Sequence, residues 1–282
     1  MNIGIFDSGF GGLTIFKSIR ARLPQYDYVY LGDNARTPYG NRSFEAIFQF
    51  SKQCLDILFA RDCKLVVMAC NTASAKALRT LQQKVLPVEY PDRKVLGIIR
   101  PSAEALAMGF TLKDSTEAER ALHRVALWAT EGTVKSLSFP LELEKLAPGL
   151  RLVQTACPML VPLVEAGELE GDGIDYFISK YWNETVAQAP LSHIDALLLA
   201  CTHYPLLLEK IRKRIPPDVK ILVQGDIVAP SLADYLNRHP EIQTRLKTGG
   251  SQHFLTTDQS EAFDRLAEVF LGHPVASEKV EI

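Results

Sequence analysis

The chain is expected to be an α/β protein built from two similar α/β domains with mainly parallel sheets. Three observations carry that expectation. Short apolar runs alternate with longer segments of helical period, which is the pattern of strand–helix–strand units. The apolar runs are continuous rather than alternating, as in strands buried on both faces of a parallel sheet. One segment also occurs twice in imperfect form: Lys64-Leu65-Val66-Val67-Met68-Ala69-Cys70-Asn71-Thr72 and Ala196-Leu197-Leu198-Leu199-Ala200-Cys201-Thr202-His203 are both apolar, end in Ala-Cys, and pass through a small polar residue into a helical pattern.

In chain order, apolar runs predict strands at residues 3–6, 28–31, 65–69, 95–99, 125–129, 150–155, 196–200 and 220–223. Helical period predicts helices at 12–22, 44–61, 73–84, 102–108, 158–166, 174–186, 205–214, 229–237 and 261–271. Lys210, Arg212, Lys213 and Arg214 close one of these, where cations suit the helix dipole. A weaker echo links the first strand, followed by Asp7-Ser8-Gly9, to the strand followed by Ala129-Thr130-Glu131-Gly132. Residues 1–98 with 216–282 are therefore expected to form one domain and 99–215 the other. The polar stretch 111–124 has no counterpart in the other half and reads as a surface insertion, and residues 277–282 read as a loose tail.

Composition narrows the partners. The 282 residues are 47% hydrophobic and 23% charged, with a net charge of −2, ordinary for a globular protein. That charge gives no reason to expect nucleic acid or an anionic membrane surface. No apolar run approaches the ~20 residues of a membrane span. The start, Met1-Asn2-Ile3-Gly4-Ile5-Phe6-Asp7, has neither a basic leader nor an apolar targeting region, so a cytoplasmic location is expected. The five cysteines, 54, 63, 70, 157 and 201, are odd in number and irregularly spaced, and are expected to be free thiols.

Cys70 and Cys201 stand out because each follows a strand and precedes a helix. Ligands of open α/β sheets bind at the carboxyl ends of strands, and a helix N-terminus favours a thiolate. Taken singly, either cysteine also fits a small buried core residue; the matched contexts favour chemistry for the pair. His203 either shuttles a proton or stabilises a thiolate, or it packs at a helix start. Cys201-x-His203 lacks a second close ligand pair, so no metal site is expected. Asp7-Ser8-Gly9-Phe10-Gly11-Gly12 either lets backbone approach a ligand or begins with a helix cap. It is not a dinucleotide fingerprint, because position 14 is Thr14. Thr37-Pro38-Tyr39-Gly40 has turn composition and is either a surface turn or a loop over a site.

These segments resemble the glutamate racemases of the aspartate/glutamate racemase superfamily. The resemblance rests on the segments 4–12, 32–40 and 69–74 and on Cys201-Thr202-His203-Tyr204-Pro205, with weaker matches at Pro162-Leu163-Val164-Glu165 and Gly225-Asp226. It implies two domains related by a pseudo-twofold axis, with the active site in the cleft between them. Cys70 and Cys201 would be the acid/base pair, Asp7 assisting the first, His203 the second, and Glu165 nearby. Ser8, Tyr39, Gly40, Asn71, Thr72, Thr130, Thr133 and Thr202, with Asp7 and His203, would bind the substrate. The implied reaction converts L-glutamate to D-glutamate for peptidoglycan synthesis, without cofactor or metal, in a protein that is often a homodimer. The sequence departs from the family pattern at Ala129, at Gln224 and in the length of the 111–124 insertion.

The chemistry explains why two thiols are needed. Inverting an α-carbon removes a proton from one face and delivers one to the other, so a thiolate takes the proton while an opposed thiol donates. Helix-start N–H groups are available to stabilise the developing carbanion. Two rival readings remain at this point: a cofactor-free racemase of aspartate or another amino acid, and a small-ligand binding protein whose cysteines only pack.

Overall fold

The strands run β1 (Asn2–Asp7), β2 (Tyr28–Gly32), β3 (Cys63–Met68), β4 (Lys94–Gly97), β5 (Arg124–Ala129), β6 (Arg151–Ala156), β7 (Ala196–Ala200), β8 (Lys220–Val223), β9 (Gln252–Thr256) and β10 (Ser277–Lys279). The computed structural model describes residues 1–110, 116–121, 123–189 and 193–282. The chain divides into two compact units, 1–98 with 225–282, and 99–224.

The first unit holds a sheet in the order β10-β9-β2-β1-β3-β4, with every pairing parallel. β1 and β2 are interior strands, and their apolar side chains from Ile3 to Leu31 are almost wholly buried. Gly4 belongs there because β3 approaches closely: a Cβ at Gly4 would lie 2.9 Å from Val66 Cγ2. The helix Phe44–Ala60 buries Ile47, Ser51, Cys54, Leu55, Leu58 and Phe59, a stripe at helical spacing, and Ser43 caps its start by accepting from the Ala46 N–H. The helix Ser260–Leu271 ends on Gly272, whose φ of 81° is the left-handed geometry of a helix C-cap.

The second unit holds a sheet in the order β6-β5-β7-β8, again all parallel. β7, Ala196–Ala200, is buried at every residue. On β5 Trp128 is fully buried, and its indole N–H donates to Thr185 Oγ1 at 2.9 Å. The order β6-β5-β7-β8 repeats the β2-β1-β3-β4 part of the first sheet. The twice-occurring apolar segments thus become β3 and β7, strands of equivalent position.

Several expectations need correction. The second domain boundary does not fall at 215/216. β8 pairs with β7 through Lys220 to Val223, which keeps residues 216–224 in the second unit. The tail is not loose: β10 pairs with the otherwise open edge of β9, Val280 N–H donates to Thr256 O at 2.8 Å, and Val280 is buried. The strand expected at 95–99 ends at Gly97, and a helix runs Ile99–Phe110, with Pro101 in the first turn, where its fixed φ is compatible with a helix. The single helix expected at 73–84 is broken into Asn71–Lys76, Leu78–Thr80, a π-helical turn Leu81–Val85 and Leu86–Glu89. β9 and the helix Ser138–Leu146 were not foreseen. Within the expected insertion, residues 111–115 and 122 lie outside the described residues. Thr116 and Glu119 form a capping box on a short helix, Glu117–Arg120. No helix among the described residues is long and apolar enough to cross a membrane.

Candidate active site

Both sheets have their topological switch point at the strand first in sequence. β2 lies on one side of β1 and β3 on the other; β6 and β7 flank β5 in the same way. In parallel α/β sheets the helices leave in opposite directions at such a point and leave a crevice beyond the strand ends, where ligands bind. Asp7 and Cys70 stand at the ends of β1 and β3, and Thr130 and Cys201 at the ends of β5 and β7.

In the first unit Cys70 is the N-cap of the helix Asn71–Lys76, and its Sγ accepts from the Ala73 N–H at 3.4 Å. Ser8 Oγ lies 3.3 Å from the same sulfur. Cys70, Asn71 and Thr72 are buried at 6%, 4% and 3% exposure, so the thiol meets preorganised dipoles rather than bulk water. Asp7, just before Ser8, is held by the Gly9 N–H, which donates to Oδ2 at 2.9 Å. A Cβ at Gly12 would lie 2.5 Å from Asp7 Cβ, so a glycine there makes room for the carboxylate.

Tyr39 belongs to the same buried cluster as Phe6 and Cys70, with its ring packed on Phe6 and Phe50. Its hydroxyl donates to Asp33 Oδ2. Burial, with the charges of Cys54 and Asp33 adding to it, raises the phenol pKa, so the group is a neutral donor. The hydroxyl is therefore engaged by the protein, and the backbone at Tyr39 and Gly40 is what this loop can offer a ligand.

In the second unit Cys201 Sγ lies 3.9 Å from His203 Nδ1, and His203 Nε2 lies 2.9 Å from Glu165 Oε1. Glu165 ends the helix Leu160–Glu165 and reaches the imidazole from across the loop end. Burial alone would lower the His203 pKa, but hydrogen bonding to Cys201 and Glu165 and the charges of both outweigh it and raise the pKa to about 10. Thr202 is buried beside them. Thr130 caps the helix Glu131–Lys135 by accepting from the Thr133 N–H at 3.4 Å, and the two hydroxyls lie 3.2 Å apart. That pair shapes the loop after β5.

Three groupings result: Asp7, Ser8, Cys70, Asn71 and Thr72; Cys201, Thr202, His203 and Glu165; and the cap of Thr130 with Thr133. Cys54, Cys63 and Cys157 are fully buried. Burial pushes the Cys54 and Cys157 thiols well up and Cys63, with help from Asp62, to about 12, so they stay protonated at neutral pH. Sequence reasoning missed Asp33 and Thr257 as site-forming residues. Asp33 lies inside a segment singled out above. Thr257 follows β9, whose two central apolar residues, Phe254 and Leu255, give too short a run to stand out.

Residues 13–229 match the family described as Asp/Glu/Hydantoin racemase. A glutamate racemase from Paracoccus denitrificans is 40% identical over 279 residues, covering 99% of both chains. Among solved structures, a Bacillus anthracis glutamate racemase isoform has a TM-score of 0.84 at 30% identity, covering 100% of this chain and 97% of that one. A Francisella tularensis glutamate racemase solved with D-glutamate has a TM-score of 0.83 at 29% identity, covering 99% and 97%. With two switch-point thiols on parallel α/β sheets and a match over most of its length, this chain belongs to the Asp/Glu/hydantoin racemase family.

Proposed function

We propose that the protein interconverts L- and D-glutamate by a two-thiol mechanism in which Cys70 and Cys201 act on opposite faces of one α-carbon. The observation that supports it most is the equivalence of the two thiols: each ends the strand beside its sheet's switch point, and each has its own polar partner, Ser8 for Cys70 and His203 for Cys201. Glutamate is favoured as substrate because the full-length relatives carry that name and one solved relative holds D-glutamate.

In this reading one cysteine enters as thiolate and takes the α-proton. The electron pair left on carbon is stabilised by N–H groups around the α-carboxylate. The second cysteine, protonated, delivers its proton to the opposite face. The roles exchange for the other enantiomer, and no cofactor takes part. Asp7 sits beside the Cys70 half-site, whereas His203, held by Glu165, supports charge at Cys201. The Tyr39–Gly40 backbone, Asn71, Thr72 and Thr202 hold the amino and carboxylate groups. The cellular role would be supply of D-glutamate to peptidoglycan synthesis in the cytoplasm.

Circular dichroism of L-glutamate incubated with purified protein and no added cofactor tests the activity. Cys70→Ser and Cys201→Ser are each expected to abolish racemisation while retaining α-proton exchange with one enantiomer. Full racemisation by Cys201→Ser would sink the mechanism, and turnover of aspartate in preference to glutamate would overturn the substrate.

A further inference from the structure

We infer that Thr257 is a positioning residue for the 37–40 loop, acting through Asp33; this rests on the reading above that the Tyr39–Gly40 backbone binds substrate. The Thr257 hydroxyl has two partners at once. It donates to Asp33 Oδ1 at 2.9 Å and accepts from the Ala35 N–H at 3.0 Å. The backbone N–H of Thr257 donates to Gly32 O at 3.2 Å, and the neighbouring Thr256 hydroxyl donates to Asn34 Oδ1 at 3.0 Å. Two residues after the core of β9 thus pin the four residues that lead from β2 into the loop.

The relay continues through the carboxylate. Asp33 is fully buried, and a buried carboxylate has to satisfy its oxygens within the protein. Oδ2 accepts from the Tyr39 hydroxyl and from Arg36 Nε, the latter at 2.7 Å. The Arg36 guanidinium lies 4.3 Å from the centre of the Phe50 ring, on which Tyr39 also packs. Oδ1 is held by Thr257, so the plane of the carboxylate, and with it the position of Tyr39 Oη, depends on that hydroxyl. Asp33 N–H also donates to Asp7 O at 3.0 Å, which ties the same unit to the end of β1. Thr257 is at the far end of this chain of contacts, and its hydroxyl acts on the loop through Asp33 and Ala35.

The test compares Thr257→Val, which keeps the shape and removes the hydroxyl, with Thr257→Ser, which keeps the hydroxyl. The readouts are KM and kcat for both glutamate enantiomers, thermal midpoint, and amide hydrogen exchange of residues 35–40 without substrate. Thr257→Val is expected to raise KM about tenfold or more, the effect of under-pairing a buried charged group, with a smaller change in kcat and faster loop exchange. Thr257→Ser is expected to restore KM to near the wild-type value. Unchanged loop exchange in Thr257→Val, or a Thr257→Ser protein as impaired as Thr257→Val, overturns the positioning role. Absence of racemisation by the wild-type protein counts against the functional reading alone, because loop exchange is measured without turnover. Should Thr257→Val fail to fold, Tyr39→Phe breaks the other end of the relay; the same rise in KM is expected, and an unchanged KM overturns the proposal.

Discussion

His203 Nε2 and Glu165 Oε1 lie 2.9 Å apart, although the two residues are 38 positions apart in the chain. His203 is buried and Glu165 partly buried, with side-chain exposures of 7% and 21%, and against the opposing effect of burial the hydrogen bonds of the imidazole to Cys201 and to Glu165 raise its pKa from 6.5 to about 10. As imidazolium, both ring nitrogens carry protons, so one can face Glu165 while the other faces the Cys201 sulfur.

The pH dependence follows from that shift. The folded-state pKa of His203 is raised from 6.5 to about 10, so its contribution to stability is complete below about pH 6.5 and is lost as pH rises through about 10. Urea midpoints are expected to fall over that window. In Glu165→Gln the window should contract, because the His203 pKa falls when one of its two stabilising partners loses its charge; NMR titration of the imidazole reads the change. A His203 pKa unmoved by the substitution would remove Glu165 from this role.

Ser8→Ala removes a hydroxyl lying 3.3 Å from Cys70 Sγ. A hydrogen bond to a charged group is worth about 1.5–3 kcal/mol, and ~1.4 kcal/mol is tenfold in rate. The expected loss in kcat/KM is about 10- to 100-fold, and the Cys70 thiolate, followed by its ultraviolet absorbance, should form at higher pH. A thiol titration identical to wild type would show that the hydroxyl does not stabilise the thiolate.

Gly12→Ala places a methyl group 2.5 Å from Asp7 Cβ and 3.0 Å from Tyr30 Oη. Overpacking of this kind destabilises by about 1–3 kcal/mol, and displacing a positioned carboxylate by about 1 Å can lower activity up to about 100-fold. Activity should therefore fall by more than the change in thermal midpoint explains. Equal activity at a lowered midpoint would mean that the position of Asp7 matters little.

Trp128→Ala is expected to destabilise the second unit by about 3–5 kcal/mol, as for truncation of a large buried ring. Trp128→Phe keeps much of the burial and loses the N–H bond to Thr185, a loss of about 1 kcal/mol. Urea unfolding of both variants checks the order, and equal losses would mean that ring volume is not what holds this core together.

Much of the architecture was legible because it is written locally. β1, β2, β7 and β8 are continuous apolar runs, and the Ala-Cys endings of the segments that become β3 and β7 pointed to equivalent strand ends. β9 and β10 were not legible: Gln252–Thr256 and Ser277–Lys279 are short and partly polar, and they are strands because an existing sheet edge offers them backbone partners. The boundary at 224/225 was missed for the same reason, since β8 joins the second sheet by pairing with β7. The role of Tyr39 was half legible. Its place in a loop motif was visible, whereas the burial of its hydroxyl against Asp33 was not.

By itself, then, the sequence determined the alternation of buried strands and helices and the placing of Cys70 and Cys201 after strands, because apolar runs, turn residues and helix starts act over a few neighbouring residues. Only the tertiary structure decided which polar groups serve those sites. Thr257 reaches Asp33 across 224 residues of chain and Glu165 reaches His203 across 38. Such partners are chosen by which strand ends and helix ends the fold brings within hydrogen-bonding distance, and burial then makes each pairing obligatory, because an unpaired polar group removed from water is unfavourable.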